Sequence, residues 1–147
     1  MKEELLFLYK RDLLQLKNEV EAFKDESNLW RLEGEIKNTA GNLALHLCGN
    51  LQHFIGHILC GSDYQRDRDY EFAAKNVARE DIIKEIDTTI ETLERLVPKL
   101  DKSTFDQAFP IKIALGDFTI FQMLVHLQGH LNYHLGQVNY LRRILDC

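Results

Sequence analysis

The chain has 147 residues, 45% of them hydrophobic and 28% charged, with 18 Lys and Arg against 23 Asp and Glu for a net charge of −5. That balance predicts one soluble globular domain over residues 1–147, long enough to bury a sizeable core, and the absence of any Lys/Arg block excludes an obligatory nucleic-acid partner, which needs a basic face to neutralise phosphates. With only 2 Pro and 8 Gly, a turn-rich all-β fold is excluded as well.

The chain opens Met1, Lys2, Glu3, Glu4, Leu5 and runs straight into charged helical sequence, without the uninterrupted apolar stretch of a signal peptide. From about Lys2 to Lys24, Leu6, Tyr9, Leu13, Leu16, Val20 and Phe23 recur at spacings of 3 and 4, which aligns them in one stripe along a first helix. A loop from about Asp25 to Lys37 follows. A second helix is predicted from Asn38 or Thr39, either of which can cap it, to about Cys60. Between Thr39 and Gly61 the sequence holds no charged residue if His is neutral. A helix apolar nearly all round is buried on most sides, so this one is the central element.

Residues Gly61 to Ala78 are polar, with Asp63, Gln65, Arg66, Asp67, Arg68, Asp69 and Glu71 prominent. Extended, such a link reaches about 60 Å, beyond the roughly 35 Å of the second helix. It is thus able to cross the whole molecule and leave the second and third helices parallel. Ile83, Ile86, Ile90, Leu93, Val97 and Leu100 define a third helix from about Arg79 to Leu100, ended or bent by Pro98. After a second link, Asp101 to Gly116 with an extended stretch at Phe109–Ile113, the fourth helix is predicted from Asp117, as its cap, to Leu145. The expected fold is all-α: a four-helix bundle, up-down-down-up, with a long crossover between helices 2 and 3. No 18-residue run is free of His or charge, so no membrane span is expected. Cys48, Cys60 and Cys147 are odd in number and lack C-x-x-C spacing, which fits reduced thiols in a cytoplasmic protein.

All 6 histidines fall on the second and fourth predicted helices, the segments least able to leave a polar group unpaired. At about 100° per residue, His46, His53 and His57 share one face of the second helix. His126, His130 and His134 follow at four-residue steps on the fourth. Two histidines one turn apart reach a single ion at about 2.0–2.1 Å, but His126 and His134 stand about 12 Å apart along the axis, so one ion takes two of the three at most. The third ligand comes from elsewhere. His46 lies about one-third along helix two and His134 about one-third from the end of helix four, so antiparallel packing brings them level. The predicted metal ligands are therefore His46, His130 and His134. Three neutral imidazoles with open coordination positions suit zinc or nickel. A di-iron carboxylate site is rejected, since helix two carries no Asp or Glu and helix four none between Asp117 and Asp146. His53, His57 and His126 read as hydrogen-bonded core residues, or else as groups that brace a ligand or line a pocket mouth.

The pattern His130-x-x-x-His134-x-Gly136-Gln137 resembles the C-terminal signature of the DinB-like metal-binding bundles, and the stretch from Asn42 through His46, Gly49 and Asn50 to His53 resembles the segment that supplies the first ligand there. The loop from Arg66 through Asp67, Arg68, Asp69 and Glu71 to Phe72 is similar to one subgroup of unknown function. The resemblance spans nearly the whole chain. It implies an up-down-down-up bundle, a three-histidine site on His46, His130 and His134, and commonly a homodimer. By the same resemblance, to bacillithiol transferases and mycothiol-dependent maleylpyruvate isomerases, the metal would bind a low-molecular-weight thiol and lower its pKa for attack on an electrophile. Three functions follow: a metal-dependent thiol S-transferase, a non-catalytic metal-binding or stress-response protein, and a structural bundle whose histidines bond internally.

Other residues carry local expectations. Cys48 reads as a buried structural thiol. Gly49 and Gly56 share a side of helix two and permit close helix contact. Asn50 and Gln137 orient a ligand imidazole or bond backbone. Arg142 and Arg143 form a solvated helix end, hold the Arg66–Glu71 loop, or meet an acidic thiol. Tyr133 and Tyr140 read as core or interface aromatics.

Overall fold

A computed structural model describes residues 1–147. The chain is all-helical, with α1 (Lys2–Ala22), α2 (Ala40–Leu51), a short α3 (Arg68–Ala73), α4 (Arg79–Leu96) and α5 (Ile120–Leu145). No helix is long and apolar enough to cross a membrane.

The apolar stripes read from the sequence become the core. Tyr9, Leu13, Leu16 and Val20 of α1 meet Ile82, Ile86, Ile90 and Leu93 of α4, and Met123, Leu124, Leu127, Leu131 and Val138 of α5, in one cluster. Burying a side chain of this size contributes about 1.5–3 kcal/mol. Every residue of α2 from Ala40 to Leu51 is buried, as its charge-free sequence requires. Its entry is tight: a Cβ on Gly41 would sit 2.7 Å from the Trp30 indole, so only glycine admits the ring there.

Polar bonds fix which residues of the packed helices lie level. On α1 and α5 they climb together: Tyr9 Oη donates to the Leu124 carbonyl, Gln128 and Asn132 donate to Asp12 at 2.8 and 3.1 Å, and Asn139 and Arg142 donate to Glu19 at 2.7 and 2.6 Å. On α1 and α4 they run in opposite order: Lys2 reaches the Pro98 carbonyl at 2.6 Å, Lys17 reaches Asp87 at 2.9 Å, and Arg79 reaches the Glu21 carbonyl at 3.2 Å. Asp12 and Glu19 are buried, and these amides and Arg142 supply the partners a buried carboxylate requires.

Four local expectations need correction. The second helix does reach Leu59, but Gln52–Leu59 is wound as a π-helix. Its i→i+5 bonds widen the turn, and neither His53 nor His57 joins His46 in the three-histidine cluster. The crossover is not featureless: α3 lies within it, capped by Asp67, whose carboxylate accepts from the Tyr70 N–H at 3.0 Å. A six-residue helix leaves no periodic pattern to detect. α4 stops at Leu96, and Pro98 sits in a following 3₁₀ turn, Val97–Lys99. The cap of α5 is Thr119, not Asp117, because Thr119 has Gln122 three residues on to complete a reciprocal capping box, while Asp117 has Ile120 there. The second link pairs Phe109 N–H with the Phe118 carbonyl at 2.8 Å and buries Phe105 and Phe109.

Candidate metal centre

His46 sits in the buried middle of α2, and His130 and His134 lie one turn apart on the side of α5 that faces it. Their donor nitrogens all fall within 4.8 Å of one another. His46 Nε2 stands 3.2 Å from His130 Nε2. Two nitrogens bound at 2.0–2.1 Å around a tetrahedral cation are separated by about 3.3–3.4 Å, so the spacing fits a shared ion. No other group of three His, Cys, Asp or Glu converges in this way.

Partners on the far side of the rings set the tautomers. His46 Nδ1 lies 3.0 Å from Glu71 Oε1, and His134 Nδ1 lies 2.6 Å from Gln137 Oε1. Each oxygen accepts the Nδ1 proton, which leaves the Nε2 lone pair of that ring for a cation. His130 Nδ1 is buried without a partner, while its Nε2 faces His46. Burial, then the neighbouring His134, His46 and His126, push His130 down to about 4. Burial also lowers His134, with the Gln137 bond working the other way. At neutral pH both rings are neutral, the form a metal requires. The three imidazoles could therefore hold a metal ion.

Glu71 of α3 bonds His46, a contact that helical periodicity did not single out. It is buried, and burial pushes its pKa up, yet bonds from His46 and Arg66 hold it below the usual carboxylate range. Arg66 grips it twice, Nε to Oε2 and Nη2 to Oε1, both at 2.9 Å. Its carboxylate occupies the notch left by Gly49, where a Cβ would stand 2.7 Å from Glu71 Cδ. Gly49 thus admits the Glu71 side chain of α3, while a Cβ on Gly56 would stand 3.2 Å from Ser62 Oγ and 3.7 Å from Thr92 of α4. Phe72 lays its ring 4.7 Å from that of His46, and the Arg68 guanidinium covers Phe72 at 5.0 Å. The sequence signal for this arrangement was the Arg66–Phe72 stretch itself, an Arg and a Glu close together opposite a glycine on a charge-free helix.

The remaining histidines stay outside the cluster. His57 Nδ1 bonds the Ser62 carbonyl at 2.6 Å, and His53 Nδ1 is buried with no partner. His126 packs edge-on against Phe118, its ring 6.4 Å from that of His130. Gln137 bonds His134, whereas the Asn50 side-chain oxygen is buried and unpartnered. Arg142 is taken by Glu19 at 2.6 Å and Arg143 lies over Tyr140, so neither holds the Arg66–Glu71 loop. Tyr133 and Tyr140 are 67% and 64% exposed, which removes them from the core. Cys48 is buried, and burial pushes its thiol up to about 12, so it is neither nucleophile nor ligand.

Clefts flank the centre. One of about 470 Å³ is bounded by Gly49, Glu71, Tyr64 and Glu85, and another of about 340 Å³ by Leu43, Gln137, Tyr140 and Ile144.

The model of a family described as “Protein of unknown function (DUF1572)” matches residues 6–147. No curated protein matches the chain.

Proposed function

The chain belongs to the DUF1572 family of proteins of unknown function, and on that footing we propose that it is a cytoplasmic divalent-metal protein whose centre activates a low-molecular-weight thiol. The observation that carries the reading is the convergence of His46, His130 and His134 to within 4.8 Å, with two of the rings oriented by Glu71 and Gln137. Zinc or nickel held there would lower the pKa of a small thiol, so that its sulfur attacks an electrophile as thiolate. The chain's own residues do the rest. Glu71 and Gln137 keep protons on the outer nitrogens of His46 and His134, and Phe72 covers one face of His46. Three protein ligands leave a coordination position for the thiol.

The scaffold in this reading is a DinB-like four-helix bundle of α1, α2, α4 and α5, up-down-down-up, with α3 in the crossover. The rising α1–α5 register and the opposed α1–α4 register support that order. The same reading makes the protein a homodimer. The outer face of α5, where Val125, Tyr133, Tyr140 and Ile144 are exposed and the Arg143 guanidinium lies over Tyr140, supports this.

A panel of small thiols with a chromogenic aryl halide tests the activity. Thiol consumption by wild type that is lost in His130→Ala supports transfer chemistry. Stoichiometric metal with no consumption of any thiol replaces it with metal binding without turnover.

A further inference from the structure

We propose that Glu71 is a positioning residue for the ligand His46, and that metal binding and the docking of α3 onto α2 are one coupled equilibrium. The inference rests on the metal reading above and adds a moving part to it.

Three positions on one side of α2 receive α3. Asn42 Nδ2 donates to the carbonyls of Glu71 and Ala74 at 3.0 and 2.9 Å. His46 Nδ1 donates to Glu71 Oε1 at 3.0 Å. Gly49, one further turn along, supplies the space for the carboxylate. Asn42, His46 and Gly49 thus form a continuous seat, and the only acid in it is Glu71. Arg66 closes the seat from the loop side.

A helix of six residues is too short to persist alone, so α3 depends on these anchors to stay formed. A buried carboxylate, in turn, is tolerated only with its partners in place. A cation on His46 Nε2 fixes the proton at Nδ1 and makes that N–H a stronger donor, which tightens the bond to Glu71. The linkage is reciprocal: whatever docked α3 adds to metal affinity, bound metal adds to the docking of α3. The crossover between α2 and α4 is therefore metal-responsive.

Hydrogen–deuterium exchange of the full chain, metal-free and with zinc added, reads the coupling directly, and a zinc titration reads affinity. In wild type, zinc is expected to slow amide exchange in α3 about tenfold or more, and more than in α1. Gly49→Ala keeps all three ligands and favours α2 by helix propensity, yet its Cβ displaces the Glu71 carboxylate. It should weaken zinc binding about 10- to 100-fold and abolish the zinc effect on α3. Glu71→Gln, which keeps the shape and removes the charge, should shift affinity in the same direction. Zinc binding by wild type with no exchange change in α3, or an equal change in α1 and α3, overturns the coupling and leaves the metal reading standing. Wild-type zinc affinity in both variants overturns the positioning role. Failure of wild type to bind zinc at all overturns the metal reading and the inference with it.

Discussion

His46 and Glu71, 25 residues apart in sequence, meet at 3.0 Å between Nδ1 and Oε1 and join the most buried helix to the short helix of the crossover. The bond gives a histidine in an apolar helix a defined tautomer and aims its other nitrogen at His130, 3.2 Å away. Without such a partner, the Nδ1 proton of His46 would be buried and unpaired, at a cost of about 1–3 kcal/mol.

Gln137 does for His134 what Glu71 does for His46, but from the same helix and without charge. Gln137→Leu should weaken zinc binding by about tenfold while leaving helical content unchanged, since the side chain lies at the rim of an open cleft. Isothermal titration with zinc, paired with circular dichroism, measures both.

The metal-free protein should lose stability as acidity increases within a defined window. His130 has a folded pKa of about 4 against an ordinary 6.5. Between those values the unfolded chain binds more protons, so stability is full above pH 6.5 and falls as pH drops towards about 4. Asp146, pushed down to about 2 by the Asp25 and Lys24 N–H groups and Asn28, acts in a lower window, beneath its ordinary 3.8. Urea denaturation at intervals from pH 4 to 7 checks this. His130→Asn should flatten the slope, and an unchanged slope would assign it to other groups.

The two candidate caps of α5 make a discriminating pair. Thr119→Ala should cost about 1 kcal/mol, because it removes the acceptor for the Gln122 N–H and dissolves the capping box. Asp117→Ala should cost nearly nothing, because its only ion pair is an exposed one with Lys112 at 3.8 Å. Chemical denaturation of both variants at neutral pH separates them.

Ile86 is fully buried in the cluster where α1, α4 and α5 meet. Ile86→Ala should destabilise the fold by about 2–5 kcal/mol through lost burial and a residual cavity. Its effect on metal affinity should be small, since Ile86 lies on α4, which carries none of the three histidines.

What the sequence made legible follows from what periodicity encodes. The stripes of α1 and α4, and the charge-free run of α2, report which faces are buried, and antiparallel packing of the second and fourth predicted helices puts His46 level with His134. His46, His130 and His134 were therefore nameable before any coordinates. Features that depend on one contact between distant segments were not. The π-helical winding after Leu51 leaves the apolar pattern unchanged, so no period in the sequence reports it. α3 is too short to show a period, and Glu71 reads as one more acid in a polar link until Gly49 is seen opposite it. Gly49 reports a close helix contact, and the approach is made by Glu71 of the short α3. Which element makes the approach is decided by the crossover.

The central claim is that three imidazoles on α2 and α5 share one cation. Elemental analysis of protein purified without chelators, wild type beside His134→Ala, tests it most directly. Wild type should carry about one zinc or nickel per chain, and the variant should lose it. Wild type without stoichiometric metal, or a variant that keeps it, would mean that the three imidazoles do not share an ion.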